Sequence, residues 1–554
     1  MDIKETFRLA LNHYQDGNFQ QAENICKEIL NVQIDNADAL HLLGIIYYQL
    51  DDYDSAIEYI KKALQFSPAE ADAYYNLGNA LEAKGQIDEA ITCYQKALEF
   101  DTNFAEAYNN LGHCFYDRGQ LDDAITCYQK ALRLNPKYPE AYNNLGYALH
   151  DKGQLDEAIT CYQKALELDP NFAEAYTNMG LVFQDKGQLD EAISCYQKAL
   201  QIDPDFAEAY NNLGHCFYLQ QGHVDEAMTY FQKALQVNPN SAEAHWNMSL
   251  ALLLQGNFKQ GWKEYEWRWK LKRFRQRNFS QPLWEGSDIA GRTILLHAEQ
   301  GLGDTIQFIR YAPMVAQHGA KVIVECQREL MSLLKYTDGV QEVIAYGDPL
   351  PDFDVHCPLL SLPLVFGTTL DSIPAKIPYI TVDPASGKKW KDKVLHDDSK
   401  LKIGLAWAGS AKEEKLRHRS CPLDMFYPLA RLDNTTFYSL QKGDASKQVK
   451  NPPEGMKLID YTEEINDFSD TAAFIENLDL IISVDTAVAH LAGALGRPIW
   501  TLLPFAVDSR WLLNREDSPW YPTMRLFRQS SPGDWETIIA SLLNNLQKYR
   551  SYTG

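Results

Sequence analysis

The dipeptide Asn-Leu returns every 34 residues through the first half of the chain, and this period restricts the possible fold more than any other feature. The copies are Asn76-Leu77, Asn110-Leu111, Asn144-Leu145 and Asn212-Leu213, with Asn178-Met179 in place of one. A period of this length is typical of stacked helical hairpins, because a single hairpin cannot bury its own apolar face. The first half is therefore predicted to be an α-solenoid with a long concave face.

Other positions repeat with the same period. In the unit from Pro139 to Pro170, the small residues Gly146, Ala158 and Ala165 are expected to let two antiparallel helices approach each other, and Pro170 ends the second helix. This pattern resembles the tetratricopeptide-repeat family, which implies a superhelix. Eight units are predicted to open near Ile3, Ala37, Ala71, Ala105, Pro139, Ala173, Ala207 and Ala242.

The net charge of the chain makes some classes of binding partner unfavourable. Its 554 residues include 52 Lys and Arg against 75 Asp and Glu, a formal net charge of -23. Such a balance argues against nucleic acid or an anionic membrane surface as the main partner. The start of the sequence lacks an apolar signal segment, and no run of ~18 apolar residues occurs. We therefore expect no membrane span and a cytoplasmic location.

Six of the ten cysteines follow the repeat, because Cys114 and Cys216 are also separated by three periods. Cys93, Cys127, Cys161 and Cys195 are 34 residues apart, so they are interpreted as copies of one buried packing position, with reduced thiols. The sequence contains no Cys-x-x-Cys pair, so a metal site built on cysteine is not expected.

The repeat ends in a group of large rings. Trp262, Tyr265, Trp267 and Trp269 fall in the predicted second helix of the eighth unit. The free end of a solenoid would expose these rings to water, so a second domain is predicted to cover them. The solenoid is therefore assigned to residues 3–275.

Strands and helices alternate in the remaining sequence. A helix is predicted from Thr305 to Gln317 and a closing helix from Trp535 to Tyr549, while the polar segment from Asp383 to Lys400 is expected to join two series of strands. The predicted strands are Thr293–Leu296, Lys321–Val324, Val343-Ile344, Ile403–Trp407, Thr436–Leu440 and Leu480–Val484. This pattern predicts two Rossmann-like α/β lobes, residues 276–385 and 386–554, with a ligand cleft between them.

Four motifs in these lobes resemble the heptosyltransferase-type glycosyltransferases. They are Gly301-Leu302-Gly303-Asp304, Trp407-Ala408-Gly409-Ser410, Arg419-Ser420-Cys421-Pro422-Leu423, and the segment from Asp485 to Gly493 that contains Asp-Thr-x-x-x-His. The whole chain resembles bacterial tetratricopeptide proteins that carry such a domain, and its layout resembles the protein O-GlcNAc transferases. The resemblance implies a GT-B fold and inverting transfer of a sugar from a nucleotide-diphosphate donor. The donor is a co-substrate, and neither a cofactor nor a metal is expected.

The first motif contains the catalytic candidate. Gly301 and Gly303 would let the backbone approach a ligand, and the following helix would offer free amides to an anion. The family places a general base at the position of Asp304. The alternative is that Asp304 only caps the helix by accepting hydrogen bonds from its first amides.

The donor candidates lie in the second lobe. Asp485 and Thr486 follow a buried strand and open a helix whose positive end would face a diphosphate. The family places the donor against this segment, which also contains His490. Alternatively, Asp485 is only a cap and His490 a core residue.

A basic loop follows Ser410 and contains Lys415 and Arg419. A departing diphosphate needs a cation at this strand end. The family's functional lysine aligns with Arg419, and Lys415 is the second candidate. Otherwise the loop is a solvated surface.

The repeated asparagines are candidates for peptide binding, because a column of carboxamides offers both donors and acceptors to an extended backbone. In the O-GlcNAc transferases a comparable ladder holds the polypeptide acceptor. The alternative is that these residues only tie neighbouring hairpins together. The candidates are Asn76, Asn110, Asn144, Asn178 and Asn212.

Asp352-Phe353-Asp354 has the Asp-x-Asp spacing of metal-dependent transferases, but it stands in a proline-flanked stretch before Val355-His356, within a two-lobe pattern, and we assign it no metal role. The sequence favours a sugar transferase that acts on a protein held by the solenoid. Two alternatives remain: a scaffold whose transferase domain is degenerate, and a transferase that acts on a glycan or lipid-linked acceptor.

Overall fold

The computed structural model describes residues 2–274, 276–409 and 419–553. It divides the chain into two compact units, residues 1–216 and 217–554. No helix among the described residues is both long enough and apolar enough to cross a membrane.

The first unit is a solenoid of helical hairpins. Each predicted opening residue is the first residue of a first helix, so the predicted phase of the repeat is confirmed. The helices are α1 (Ile3–Gln15), α2 (Phe19–Val32), α3 (Ala37–Gln49), α4 (Tyr53–Phe66), α5 (Ala71–Ala83), α6 (Ile87–Phe100), α7 (Ala105–Asp117), α8 (Leu121–Leu134), α9 (Pro139–Asp151), α10 (Leu155–Leu168), α11 (Ala173–Asp185), α12 (Leu189–Ile202) and α13 (Ala207–Leu219), which contains the boundary between the units.

The small repeat residues allow the close approach that the sequence predicts. A Cβ atom added to Gly146 on α9 would lie 2.8 Å from the Tyr162 ring on α10, so only glycine fits beneath that ring. Gly112 meets Tyr128 in the same way, at 2.7 Å. Pro170 follows the end of α10, as expected.

The repeated thiols are packing residues. Cys93, Cys127 and Cys195 are buried, Cys161 is half-buried, and none of the ten cysteines forms a disulfide among the described residues. Burial raises the pKa of Cys93 and of Cys127 to about 11. Because protonated thiols are weak nucleophiles and poor metal ligands, this environment supports the packing interpretation.

The second unit begins with the last helices of the repeat, α14 (Val224–Val237), α15 (Ala242–Leu254) and α16 (Phe258–Tyr265). Trp262 and Tyr265 on α16 are each 6% exposed. The Trp262 ring meets Phe308 edge to face, with the ring centroids 6.0 Å apart. The prediction that the α/β region covers the four rings is confirmed for Trp262 and Tyr265, whereas Trp267 and Trp269 are half-buried and Trp267 stacks on His245 of α15.

The first lobe contains a four-stranded parallel sheet in the order β3-β2-β1-β4. One predicted helix is wrong: residues 305–317 form two helices separated by a 3₁₀ turn at Ile309–Tyr311. Pro313, which lacks an amide N–H, stands in the first turn of the second of them. The elements are β1 (Thr293–His297), α17 (Leu302–Phe308), α18 (Ala312–Gln317), β2 (Lys321–Cys326), α19 (Met331–Leu334), β3 (Val340–Ala345), β4 (Val355–Pro358) and α20 (Leu362–Val365).

The second lobe contains a six-stranded parallel sheet in the order β10-β9-β8-β5-β6-β7. Its elements are α21 (Pro384–Leu395), β5 (Leu401–Ala406), β6 (Thr435–Ser439), β7 (Leu458–Asp460), α22 (Phe468–Ile475), β8 (Leu480–Val484), α23 (Ala487–Ala494), β9 (Ile499–Leu503), β10 (Met524–Arg528) and α24 (Trp535–Thr553). Because all strands are parallel, the loops after β5, β8 and β9 leave the sheet at the same edge.

The segment expected as a polar link contains a packed helix. Trp390 on α21 is fully buried, and its ring centroid lies 4.6 Å from that of Phe474 on α22. Its indole N–H donates to Asp470 at 3.2 Å. One large buried ring therefore holds a helix whose other residues are mostly polar.

Candidate functional site

Asp304 has two partners at the start of α17. Its Oδ2 accepts a hydrogen bond from the Gly301 N–H at 2.9 Å, and its Oδ1 accepts one from Arg510 Nη2 at 2.7 Å. The capping contact named as the alternative is therefore present. The second contact is an ion pair with the other lobe, so the carboxylate lies where the two lobes meet.

Gly303 brings the two principal motifs together. A Cβ atom added to Gly303 would lie 2.8 Å from His490 Cδ2 and 3.7 Å from the Cα atom of Ala487. Both neighbours belong to α23 of the second lobe. The absence of a side chain at Gly303 thus lets the loop after β1 pack directly on the helix that follows β8.

His490 is a core residue placed beside charged groups. It is 3% exposed, its Nδ1 lies 2.9 Å from the Tyr521 hydroxyl, and its ring stacks on Trp511 with the centroids 5.3 Å apart. Burial, assisted by nearby Arg510, lowers the pKa of His490 well below its usual range. The structure therefore shows the core position that was the alternative for His490, and a role at the donor stays a prediction.

Arg510, which the sequence analysis did not select, joins the cluster. It follows β9, and it donates to Asp304, to Asp508 at 2.9 Å and to the side-chain oxygen of Gln307 at 2.8 Å. Burial lowers the pKa of Arg510, but Asp508 and Asp304 raise it by more, so the net pKa lies well above its usual range. An Asp-x-Arg pair in the loop that follows a buried strand was the signal available in the sequence.

Asp485, Thr486 and Arg419 form the second-lobe side of the site. The Asp485 side chain is 6% exposed, and its Oδ2 lies 3.4 Å from Arg419 Nη1. Burial raises the pKa of Asp485 by more than Arg419 lowers it. Thr486 precedes α23, and its hydroxyl lies 3.0 Å from that of Ser483. Arg419 Nε has no hydrogen-bond partner among the described residues.

Two donor candidates, Ser410 and Lys415, lie outside the described residues. The backbone before them is held by Gln441, whose side-chain oxygen accepts from the N–H groups of Trp407 and Ala408 at 2.9 and 2.8 Å. The Gly409 N–H donates to the Ser420 hydroxyl at 3.2 Å. Both ends of the basic loop are therefore fixed at the carboxyl end of β5.

The Asp-x-Asp sequence, Asp352-Phe353-Asp354, lies away from the cluster around Asp304. Asp354 Oδ2 accepts a hydrogen bond from the Thr293 N–H at 2.7 Å, at the amino end of β1. This is the sheet edge opposite to the one that carries Asp304. Within residues 2–274, 276–409 and 419–553, no three His, Cys, Asp or Glu side chains group as metal ligands.

The asparagine ladder connects neighbouring hairpins in the first unit. Asn76, Asn110, Asn144 and Asn212 are half-buried, whereas Asn178 is 7% exposed. The side-chain N–H₂ groups contact the preceding hairpin as follows: Asn76 with His41 Nε2 (3.0 Å), Asn110 with Asn79 Oδ1 (3.0 Å), Asn144 with Asn109 Oδ1 (3.1 Å) and Asn178 with Asn143 Oδ1 (3.0 Å). Asn212 Oδ1 instead accepts from Asn211 (3.2 Å). Four ladder asparagines therefore connect neighbouring hairpins. The four half-buried carboxamides also keep a partly exposed edge.

Family models match both halves of the chain. The tetratricopeptide-repeat model matches residues 3–69 and 171–240, and the model for the C-terminal domain of cilia and flagella-associated protein 70 matches residues 67–203. The model described as glycosyltransferase family 9 (heptosyltransferase) matches residues 466–508. That segment includes Asp485, Thr486, His490 and Asp508, and it ends two residues before Arg510.

Similar proteins match parts of the chain. Protein FlbA of Caulobacter vibrioides is 26% identical over 325 residues, which cover 54% of this chain and 54% of FlbA, so the chain spans about half the length of this relative. The crystal structure of MamA is 36% identical, covers 30% of this chain and 97% of MamA, and has a TM-score of 0.27. The structure titled "YrrB: a TPR protein with an unusual peptide-binding site" is 30% identical, with coverages of 34% and 97% and a TM-score of 0.29.

The family-model matches and the two sheets agree on the composition of the molecule. The chain joins tetratricopeptide repeats to an α/β region of two parallel sheets that contains a segment similar to glycosyltransferase family 9.

Proposed function

We propose that the chain is an inverting GT-B glycosyltransferase that moves a sugar from a nucleotide-diphosphate donor to a hydroxyl of a protein acceptor. The observation that carries the proposal is the contact between the Gly301–Asp304 motif and the segment similar to family 9. Gly303 packs against His490, and Arg510 joins Asp304 to Asp508. A candidate base of one lobe thus lies next to the candidate donor segment of the other.

The donor diphosphate binds at the start of α23. The free amides of its first turn and the helix dipole favour an anion there. Arg419 adds a cation whose Nε is buried and has no partner among the described residues. Lys415 is proposed as a second cation and Ser410 as a neutral hydrogen-bond donor. The protein itself would then supply positive charge to the leaving group, so we propose transfer without a metal ion or other cofactor.

Asp304 takes the proton of the acceptor hydroxyl. The acceptor oxygen then forms a bond to the anomeric carbon, while the bond from that carbon to the diphosphate oxygen breaks and its electron pair leaves with the diphosphate. Each oxygen of Asp304 accepts one hydrogen bond in the structure, which orients the carboxylate and leaves further lone pairs for the acceptor.

The solenoid presents the protein acceptor. Its repeats bury their apolar faces against one another, and the partly exposed ladder at Asn76, Asn110 and Asn144 offers hydrogen-bonding groups at regular spacing. A saccharide acceptor does not need eight hairpins, so we favour a polypeptide.

Asp304→Asn tests the proposal. Loss of the base should lower transfer by roughly 10²- to 10⁴-fold, while stabilisation by the donor's nucleoside diphosphate is kept. Asp352→Asn is the matched control, because Asp352 is exposed at the other edge of the sheet, and it should keep full activity. Thermal-shift measurements with uridine, guanosine and adenosine diphosphates identify the nucleotide. A chain stabilised by no nucleoside diphosphate would be a scaffold, and unchanged turnover in Asp304→Asn would refute the base.

A further inference from the structure

A pocket opens at the edge of the second-lobe sheet, between β10, α24 and the loop that precedes β10. Its volume is about 420 Å³, within the ~300–1,000 Å³ typical of sites for small molecules. Three arginines line it, Arg515, Arg525 and Arg528, together with one carboxylate, Glu516. The lining is therefore basic, although the whole chain carries a formal net charge of -23.

Arg528 on β10 has no carboxylate partner among the described residues. Its Nε donates to the main-chain oxygen of Arg515 at 2.8 Å, and its Nη2 donates to that of Trp511 at 2.6 Å. These uncharged oxygens orient the guanidinium without neutralising it. Burial, assisted by the neighbouring Arg515, lowers the pKa of Arg528 to about 10. The guanidinium therefore stays charged at neutral pH and lacks a counter-ion.

Two guanidinium groups keep a donor that a ligand can reach. The Nη1 group of Arg528 and that of Arg515 each lack a hydrogen-bond partner in the part of the chain that the structure describes, and neither group is buried. Arg515 uses its other nitrogens, Nε and Nη2, on the Asp517 carboxylate at 2.9 and 2.6 Å. Its side chain is 31% exposed.

The charges around the pocket leave one cation in excess. Arg525 takes the lining carboxylate, because its Nη2 donates to Glu516 at 3.2 Å. Arg515 is paired with Asp517, so the positive charge left over is that of Arg528. Arg515 and Arg528 repel each other, and an anion bound to both would offset that repulsion.

The two accessible donors favour a phosphoryl anion. Each arginine can donate to a different oxygen, and a terminal phosphoryl group has three such oxygens where a carboxylate has two. Leu526, Phe527 and Ile538 add apolar surface to the lining, which suits the organic part of a phosphate ester.

We propose that this pocket binds the phosphoryl group of a small molecule through Arg528 and Arg515. The site lies beyond the proposed glycosyl transfer and does not depend on it. The same chemistry is offered by free phosphate and by a phosphorylated metabolite, and the choice of probes separates these two sources.

Phosphorus NMR on the full chain tests the proposal. The probes are inorganic phosphate and phenyl phosphate, whose signals should broaden at millimolar concentrations as they bind, and a titration gives the Kd of each. A lower Kd for phenyl phosphate would assign the pocket to a phosphate ester, because only the ester contacts the apolar lining. A lower Kd for inorganic phosphate would assign it to the free anion.

Thr537→Glu places a carboxylate in the pocket and keeps all three arginines. Thr537 is exposed on α24 and lines the pocket, so the substitution should leave the chain folded. Binding of both probes should weaken at least tenfold, because the new carboxylate competes for the guanidinium groups. Thr537→Gln is the matched control: it has nearly the same shape without the charge, and each Kd should be kept.

Arg528→Met removes the unpaired cation. It should weaken binding by roughly ten- to a hundredfold, because hydrogen bonds to a charged group are lost. Arg497→Met is its matched control, since Arg497 is also half-buried and donates to a main-chain oxygen, that of Leu478, at 2.6 Å. Both probes should bind Arg497→Met as they bind the unaltered chain.

Equal binding to Thr537→Glu and Thr537→Gln would overturn the proposal and place the anion elsewhere, for example at the start of α23. Absence of broadening for both probes would also overturn it. The glycosyl transfer is tested by Asp304→Asn and by nucleoside diphosphates, so either proposal can fail while the other holds.

Discussion

Replacing Arg268 with Met tests how the eighth hairpin is held on the first lobe. Arg268 follows α16 and is fully buried, and it donates to both carboxylate oxygens of Glu299 at 3.0 Å. It also donates to Glu266 at 2.6 Å and to Ser361 at 2.8 Å. Met retains much of the side-chain volume but leaves the Glu299 carboxylate, 6% exposed, without a cation.

Removing one partner of a buried ion pair costs about 3–5 kcal/mol, because the other charge stays desolvated. At roughly 2.1 cal/mol/K per residue, the unit of residues 217–554 unfolds with an entropy of about 0.7 kcal/mol/K, so its Tm should fall by about 4–7 °C. Arg273 provides the matched control: it also forms two hydrogen bonds, both to Glu243, but each side chain is 50% exposed. Arg273→Met should cost under about 1 kcal/mol.

The loss of Tm in Arg268→Met should depend on pH. Burial raises the pKa of Glu299 although Arg268 lowers it, and without Arg268 this pKa rises further above its value in the unfolded chain. A raised carboxyl pKa means that the folded state binds the proton more tightly, so stability increases as the pH falls through the folded pKa. The Tm deficit of Arg268→Met should therefore narrow as the pH is lowered from neutral.

Differential scanning calorimetry of the full chain at several pH values measures both effects. Equal Tm losses in Arg268→Met and Arg273→Met would refute the claim that burial decides the value of this pair. A deficit that widens on acidification would refute the role assigned to Glu299.

Two further predictions concern the site and the solenoid. Gly303→Ala should lower transfer at least tenfold while the chain stays folded. The added Cβ would push on His490, which Trp511 and Tyr521 hold in place. Activity and Tm are measured together, and full activity would contradict the close packing. The second variant replaces Asn110, Asn144 and Asn178 of the ladder with alanine. It should weaken transfer to protein acceptors and leave hydrolysis of the donor unchanged. An unchanged KM for the protein acceptor would show that the ladder is purely structural.

The helical repeat was predictable because its signal is local. The Gly146 and Tyr162 contact lies within one hairpin, and its copies recur at the same spacing, so periodicity alone gives the phase of every unit. In the α/β region the long apolar strands were also evident. The short β4 and β7 were not predicted, nor were β9 and β10, and the charged pair Asp508 and Arg510 after β9 was overlooked with them.

The surroundings of Asp304, the catalytic candidate, could be predicted only in part from the sequence. The position of Asp304 after a strand and two glycines indicated its place at a sheet edge. Whether it caps a helix or faces a partner depends on Arg510, which lies 206 residues away in the sequence. A contact between residues so far apart in the sequence leaves no signal in the local pattern around either residue.

The sequence by itself determined the hairpin solenoid, the alternation of strands and helices, and the motifs at the strand ends, because helix and strand periods are set by neighbouring residues. That Gly303 packs on His490 and that Arg510 joins the lobes follows only from the tertiary structure. These contacts result from the packing of distant segments, and their free energy depends on burial and charge that exist only once the chain has folded.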